Sequence, residues 1–131
     1  EWRGKQRGQE RRIPTAPEFE KAARGDDGMT YPWGNAYEPD KLNSATRGPG
    51  DTTPVGEFVS GASPYGVLDL ACNVFQWTAT GIQPPDREDE MVVKGSAWED
   101  HAGVGRGASG HGRPKVARHV IVGFRCAAAP S

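Results

Sequence analysis

The chain has 131 residues, 35% of them hydrophobic and 25% charged, with 18 glycines, 11 prolines and a formal net charge of −1. That length allows one domain with a real core and not two, and the glycine and proline content excludes a helix bundle in favour of turns and short elements. The balanced charge gives no reason to expect a nucleic acid or an anionic membrane as partner, and no stretch nears the roughly 18 apolar residues of a membrane span.

The opening is basic, with Lys5, Arg7, Arg11 and Arg12. It reads as solvated surface and carries no charged-then-apolar secretory leader. The strongest helix signal lies between Pro14 and Arg24. Thr15 is placed as N-cap, Pro17 falls in the first turn, and Glu18 completes a capping box. Phe19, Ala22 and Ala23 then form one apolar face, and Gly25 supplies the stop. Residues 26–58 are rich in Gly, Pro, Asn and Asp and read as a long irregular connection held down by Tyr31, Trp33 and Phe58.

The stretch GVLDLACNVFQW, residues 66–77, fits neither strand alternation nor a helical stripe, because Asp69, Asn73 and Gln76 interrupt its apolar run. Its polar residues therefore specify something besides burial, and a short strand is expected from Val74 to Thr80. An acidic, mixed run at Asp86–Glu90 reads as an exposed loop. Met91–Lys94 reads as a strand, 101–114 as a Gly- and His-rich loop, and HVIVGFRCA as a closing strand built on Val120, Ile121, Val122 and Phe124. Arg125 reads as a structural arginine holding loop carbonyls, for which five donors in a fixed fork are suited. Trp77 and Trp98 read as core anchors. Cys72 and Cys126 are compatible with one long-range disulfide or two thiols.

Six fragments in order, RIPTAPEFEKAARG, YPWGN, DTTPVGEF, YGVLDLACNVFQW, VVKGSAW and VGFRCA, resemble the motifs of the formylglycine-generating enzyme family, also called the sulfatase-modifying-factor domain. The resemblance implies an α+β fold: a variant of the C-type lectin architecture with little regular secondary structure and a small twisted antiparallel sheet. It also implies a single domain over 1–131 that lacks the family's N-terminal section.

Calcium is the cofactor that the resemblance implies. Its first site falls on the side chain of Asp69, the carbonyls of Cys72 and Val74, and the side chain of Gln76; a second lies near Asn43 and Ser44. Calcium accepts carboxylate, amide and carbonyl oxygens alike. Three positions depart from the family pattern. Gln76 stands where Glu is usual, Asp69 where Asn is frequent, and Cys72 where Gly is usual, so a positive φ at Cys72 would strain the backbone.

The family's oxidase uses two cysteines just after the element matched by GSAW. The corresponding GSAWEDHAGVGRGASGHGR contains none, so copper and copper-dependent oxidation are not expected. Non-haem iron enzymes of the same superfamily need His and carboxylate ligands, but His101, His111 and His119, even with Glu99 and Asp100, match no ligand spacing. Ser96 and Ser109 lack any nucleophile elbow. The expected function is a binding module whose 98–113 loop presents Trp98, Glu99, Asp100, His101, Arg106, His111 and Arg113 on a flexible backbone. A peptide, a protein or a polar small molecule is the expected partner. Two alternatives stand beside it: part of an oxidoreductase of the formylglycine-generating or sulfoxide-synthase type completed by residues outside this chain, and a variable receptor protein of a diversity-generating retroelement, which shares the fold.

Overall fold

The computed structural model describes residues 10–82, 87 and 89–129. Lys5, Arg7, Asp86 and Glu88, singled out above for their charge, lie outside the described residues. The expected helix forms as α1, Ala16–Arg24. The Thr15 hydroxyl accepts from Glu18 N, and the Glu18 carboxylate accepts from Thr15 N at 2.9 Å, closing the capping box. Gly25 ends the helix at φ 67 with its N–H on Lys21 O. Phe19 and Ala23 are fully buried on the face that the spacing defines; burying the Phe19 ring alone is worth about 1.5–3 kcal/mol.

The central sheet has four strands: β2 (Phe75–Gly81), β3 (Glu90–Lys94), β4 (Gly110–Pro114) and β5 (Val122–Gly123), in the order β4-β3-β2-β5. The first three run antiparallel, and β5 joins β2 in parallel through Phe75–Val122 and Gln76–Gly123. Strand β1 (Arg11–Arg12) pairs with β6 (Ala127–Ala128) in a separate two-stranded ribbon. The closing segment is therefore two short strands and not one: β5 serves the sheet, β6 serves the ribbon, and Val120 and Phe124 remain exposed.

Alternation along β2 and β3 divides the sheet into two faces. Phe75 and Val93 pack with Ala97 and Ile121 on one face, covered by Trp77, Trp98 and Val122. Lys94 belongs to the other face and reaches α1, where its ammonium lies 3.2 Å from Glu20. Phe19, Ala23 and Leu70 fill a second cluster beside the helix, while Leu42, Ala71 and Cys72 form a third beneath Trp33 and Tyr37. Among the described residues no helix is long and apolar enough to cross a membrane.

Candidate binding site

The puzzling stretch is a loop of left-handed backbone leading into β2. Asp69, Cys72 and Asn73 have φ of 57°, 56° and 70°, a conformation that costs a residue with a Cβ about 1–2 kcal/mol. Its polar residues are what hold it there. Gly56 N donates to Asp69 Oδ2 at 2.7 Å, and Cys72 N donates to Ser96 Oγ at 2.8 Å. Asn73 accepts from Thr53 N through Oδ1 at 3.0 Å, and its carbonyl accepts from Trp98 N at 2.9 Å.

Arg125 crosses this loop as the sequence suggests. Its Nη2 donates to Leu68 O at 2.7 Å and Asp69 O at 3.2 Å, and its Nε donates to Gln76 Oε1. Gln76 is buried, and its Nε2 donates to Asp69 O at 2.8 Å. Burial lowers the pKa of Arg125, opposed by the Asp69 carboxylate.

These contacts bear directly on the calcium ligands implied by the resemblance. An ion of that kind needs six to eight oxygens at about 2.3–2.6 Å, each with a lone pair turned towards it. Asp69 Oδ2 and Gln76 Oε1 already accept N–H donors, the second from the Arg125 guanidinium, which also bonds Leu68 O and Asp69 O. As placed, the Gln76 side-chain oxygen faces the Arg125 guanidinium and one Asp69 oxygen faces Gly56 N–H. At the second position, Asn43 Oδ1 is buried with no donor among the described residues. The rest of that position is in use: Asn43 Nδ2 donates to Asp51 O at 2.8 Å, Ser44 O accepts from Gly48 N at 2.8 Å, and Ser44 Oγ lies 3.0 Å from Tyr37 Oη. Among the described residues that leaves the Asn43 side-chain oxygen without a donor. Among the described residues no three His, Cys, Asp or Glu side chains gather into a metal-binding group.

Cysteine chemistry is equally constrained. Cys72 and Cys126 are both free thiols, the first buried and the second exposed. Burial pushes Cys72 up to about 11 against the opposing hydrogen bond from Ser96 Oγ, with Asp100 adding to the rise. Cys72 is thus a neutral packing residue.

The segment 98–113 is more ordered than its glycines suggest. Residues Ala102–Gly105 form a 3-10 turn, and β4 supplies His111 and Arg113. The Asp100 carboxylate accepts from Ala97 N at 2.7 Å, the Asp100 carbonyl accepts from Ala45 N at 3.0 Å, and Gly107 N donates to Thr30 O at 2.8 Å. The expected flexible backbone is instead tied to three separate parts of the fold. Glu99, His101 and Arg106 project from it, exposed and without a side-chain partner among the described residues.

His111 and Arg113 form a separate group. Arg113 Nε donates to His111 Nε2 at 3.1 Å, the imidazole meets the Phe75 ring edge-on at 4.8 Å, and the guanidinium lies 5.7 Å from the centre of that ring. Burial and then the Arg113 charge hold His111 below its usual pKa, against a smaller opposing effect from Asp100. Trp98 is partly buried against the Phe75 cluster, and its Nε1 is buried without a partner among the described residues.

Sequence reasoning missed a cavity of about 220 Å³ between α1 and the C-terminal segment, lined by Phe19, Ala22, Val67, Leu70, Arg125 and Cys126 among others. Those residues come from distant segments, so no local pattern announces it.

Comparison with known proteins gives a consistent picture. The family model for the sulfatase-modifying factor enzyme 1-like domain matches residues 1–130. The inactive C-alpha-formylglycine-generating enzyme 2 of Bos taurus is 36% identical over 146 residues, covering 96% of this chain and 44% of that protein. Hercynine oxygenase of Mycolicibacterium smegmatis is 27% identical over 139 residues, covering 88% of this chain and 32% of that protein. Among solved structures, PvdO from Pseudomonas aeruginosa aligns with a TM-score of 0.82 at 24% identity, over 97% of this chain and 56% of its own. Treponema denticola variable protein 1 aligns at 0.80 and 20%, over 93% and 49%. The structural likenesses bear out the C-type lectin-like α+β fold, and the chain spans less than half the length of the curated relatives named here.

Proposed function

The chain belongs to the family of sulfatase-modifying factor enzyme 1-like domains, and from that premise we propose that it is a binding module without copper oxidase activity, engaging a peptide, a protein surface or a polar small molecule through residues 98–113. The observation that carries this reading is the contrast between backbone and side chains there. Hydrogen bonds to Ala45, Asn73 and Thr30 fix the backbone, while Glu99, His101 and Arg106 stay exposed, without a side-chain partner among the described residues. Charged groups held on a fixed frame lose little entropy on binding, and mixed signs favour a polar or zwitterionic ligand. The thiols support the same reading, because Cys72 is buried and protonated and no cysteine lies within 98–113.

A displayed random-peptide library panned on the immobilised chain tests the proposal. Enriched peptides are expected to lose at least tenfold in affinity when Glu99, His101 and Arg106 are all changed to Ala. Equal binding by that triple variant contradicts it. A second reading, part of a longer oxidoreductase, draws support from the similarity to hercynine oxygenase and from the short span of that relative covered. Oxygen consumption by the full-length protein with a cysteine peptide and Fe(II) or Cu(I) would favour that second reading.

A further inference from the structure

We infer that the stretch from Lys115 to Phe124 is a docking surface for an acidic peptide segment that carries apolar side chains. The first observation is one of charge. Every Asp and Glu of the chain lies before residue 101, whereas residues 101–131 carry Arg106, Arg113, Lys115, Arg118, Arg125 and all three histidines. The near-neutral total therefore hides a basic C-terminal part. The ion pairs among the described residues all take their cation from positions 12–94. Two of the later cations have partners inside the fold: Arg125 holds the carbonyls of Leu68 and Asp69, and Arg113 lies over Phe75 beside His111. Lys115 and Arg118 are exposed, without a side-chain partner among the described residues.

The second observation is apolar. Val116, Val120 and Phe124 are 87%, 74% and 68% exposed, interleaved with Lys115, Arg118 and His119. One such side chain on a surface is ordinary, but three within one short connection call for a partner. The connection is also held in shape. Ala117 N donates to Pro114 O at 2.9 Å, Val122 N to His119 O at 3.1 Å and Lys115 N to Asp89 O at 2.8 Å, while His119 Nδ1 accepts from Ile121 N at 3.3 Å. Turns already closed lose less entropy when a partner docks. The connection ends in β5, which closes one side of the sheet with no strand beyond it, so an extended chain can lie along that edge.

Together these features select the partner. Carboxylates answer Lys115 and Arg118 and steer the encounter, and apolar side chains cover Val116, Val120 and Phe124. A nucleic acid would answer the cations but leave the valines unused, and Phe124 is the single Phe, Tyr or Trp of this stretch on which a base could stack. The stretch forms turns and not the amphipathic helix that lies on an anionic membrane.

The surface uses none of Glu99, His101 and Arg106, and the test keeps the two apart. A fluorescent peptide of alternating glutamate and leucine is titrated onto the whole chain, with a lysine–leucine peptide, a single-stranded oligonucleotide and phosphatidylserine vesicles as parallel probes, and the amides are followed by nitrogen-edited NMR. The glutamate–leucine peptide is expected to bind best, to shift the amides of residues 115–124 and to weaken as salt is added. Lys115→Glu with Arg118→Glu, and separately Val120→Ser with Phe124→Ser, should each lower its affinity at least about tenfold. The unfolding midpoint should stay unchanged in both, because all four side chains are exposed. Tighter binding of the oligonucleotide or the vesicles, no binding of the glutamate–leucine peptide, or equal binding by both double variants would each overturn the inference. So would a loss confined to the variant with Glu99, His101 and Arg106 changed to Ala, which would place the peptide on 98–113.

Discussion

Gly48 shows how tightly single positions are set. A Cβ there would stand 2.1 Å from Asn43 Oδ1 and 2.8 Å from Ser44 O, and both neighbours are buried. Gly48→Ala is therefore expected to cost about 1–3 kcal/mol in denaturant unfolding, while Gly103→Ala, with nothing within 4 Å, should change stability by less than about 0.5 kcal/mol. Glu18 gives a pH signature. Hydrogen bonding to Arg12 at 2.7 Å, with help from Thr15, holds its carboxyl down to about 2 from an ordinary 4.5. A depressed folded pKa stabilises the native state above the unfolded value and loses that contribution as pH falls from about 4.5 towards 2. The unfolding midpoint of Glu18→Gln should accordingly approach that of the wild type in acid and fall below it near neutrality. The thiols divide in the same way: an aromatic disulfide reagent should label Cys126 quickly in the native chain and Cys72 only on unfolding. Thr15, Glu18 and Arg125 were legible because a cap is local and an arginine fork suggests carbonyls. The partner of Cys72 was not, since Ser96 approaches it only through the tertiary fold.

Among the elements, α1 was readable and β4 was not. The helix announces itself by caps and spacing over eleven residues. Strand β4 is Gly110-His-Gly-Arg-Pro114, a composition with poor strand propensity, and it forms because β3 offers a ladder from Glu90 to Lys94. The closing segment failed in the opposite sense: its β-branched run suggested one strand, but Arg125 turns into the Leu68–Gln76 loop and separates β5 from β6. The join between α1 and β3 supplies a direct test. Lys94 has a side chain only 5% exposed and reaches the partly exposed Glu20 at 3.2 Å. Glu20→Gln leaves that ammonium buried without its counter-charge and should cost about 1–3 kcal/mol, whereas Lys94→Met, which removes the charge as well, should cost less. A reversed order in chemical denaturation would mean that the pair does not join helix and sheet.

At the scale of the molecule, the described residues form a four-stranded sheet, a two-stranded ribbon and one α-helix, surrounded by loops that hold each other by side-chain hydrogen bonds. The family motifs made that architecture legible, because they mark the positions where loop meets sheet. They did not reveal that Arg125 and Gln76 close the loop together, nor that the glycine-rich segment has a tethered backbone, since both depend on contacts between segments far apart in the sequence. The functional account rests on that tethering: charged side chains are offered to a ligand by a frame already fixed. Native-state hydrogen exchange measures it most directly. The amides of Ala45, Ala97, Trp98 and Gly107 are expected to exchange nearly as slowly as those of β2 and β3. Exchange at these four amides as rapid as in an exposed loop, while β2 and β3 stay protected, would contradict the account of 98–113 as a pre-formed binding surface.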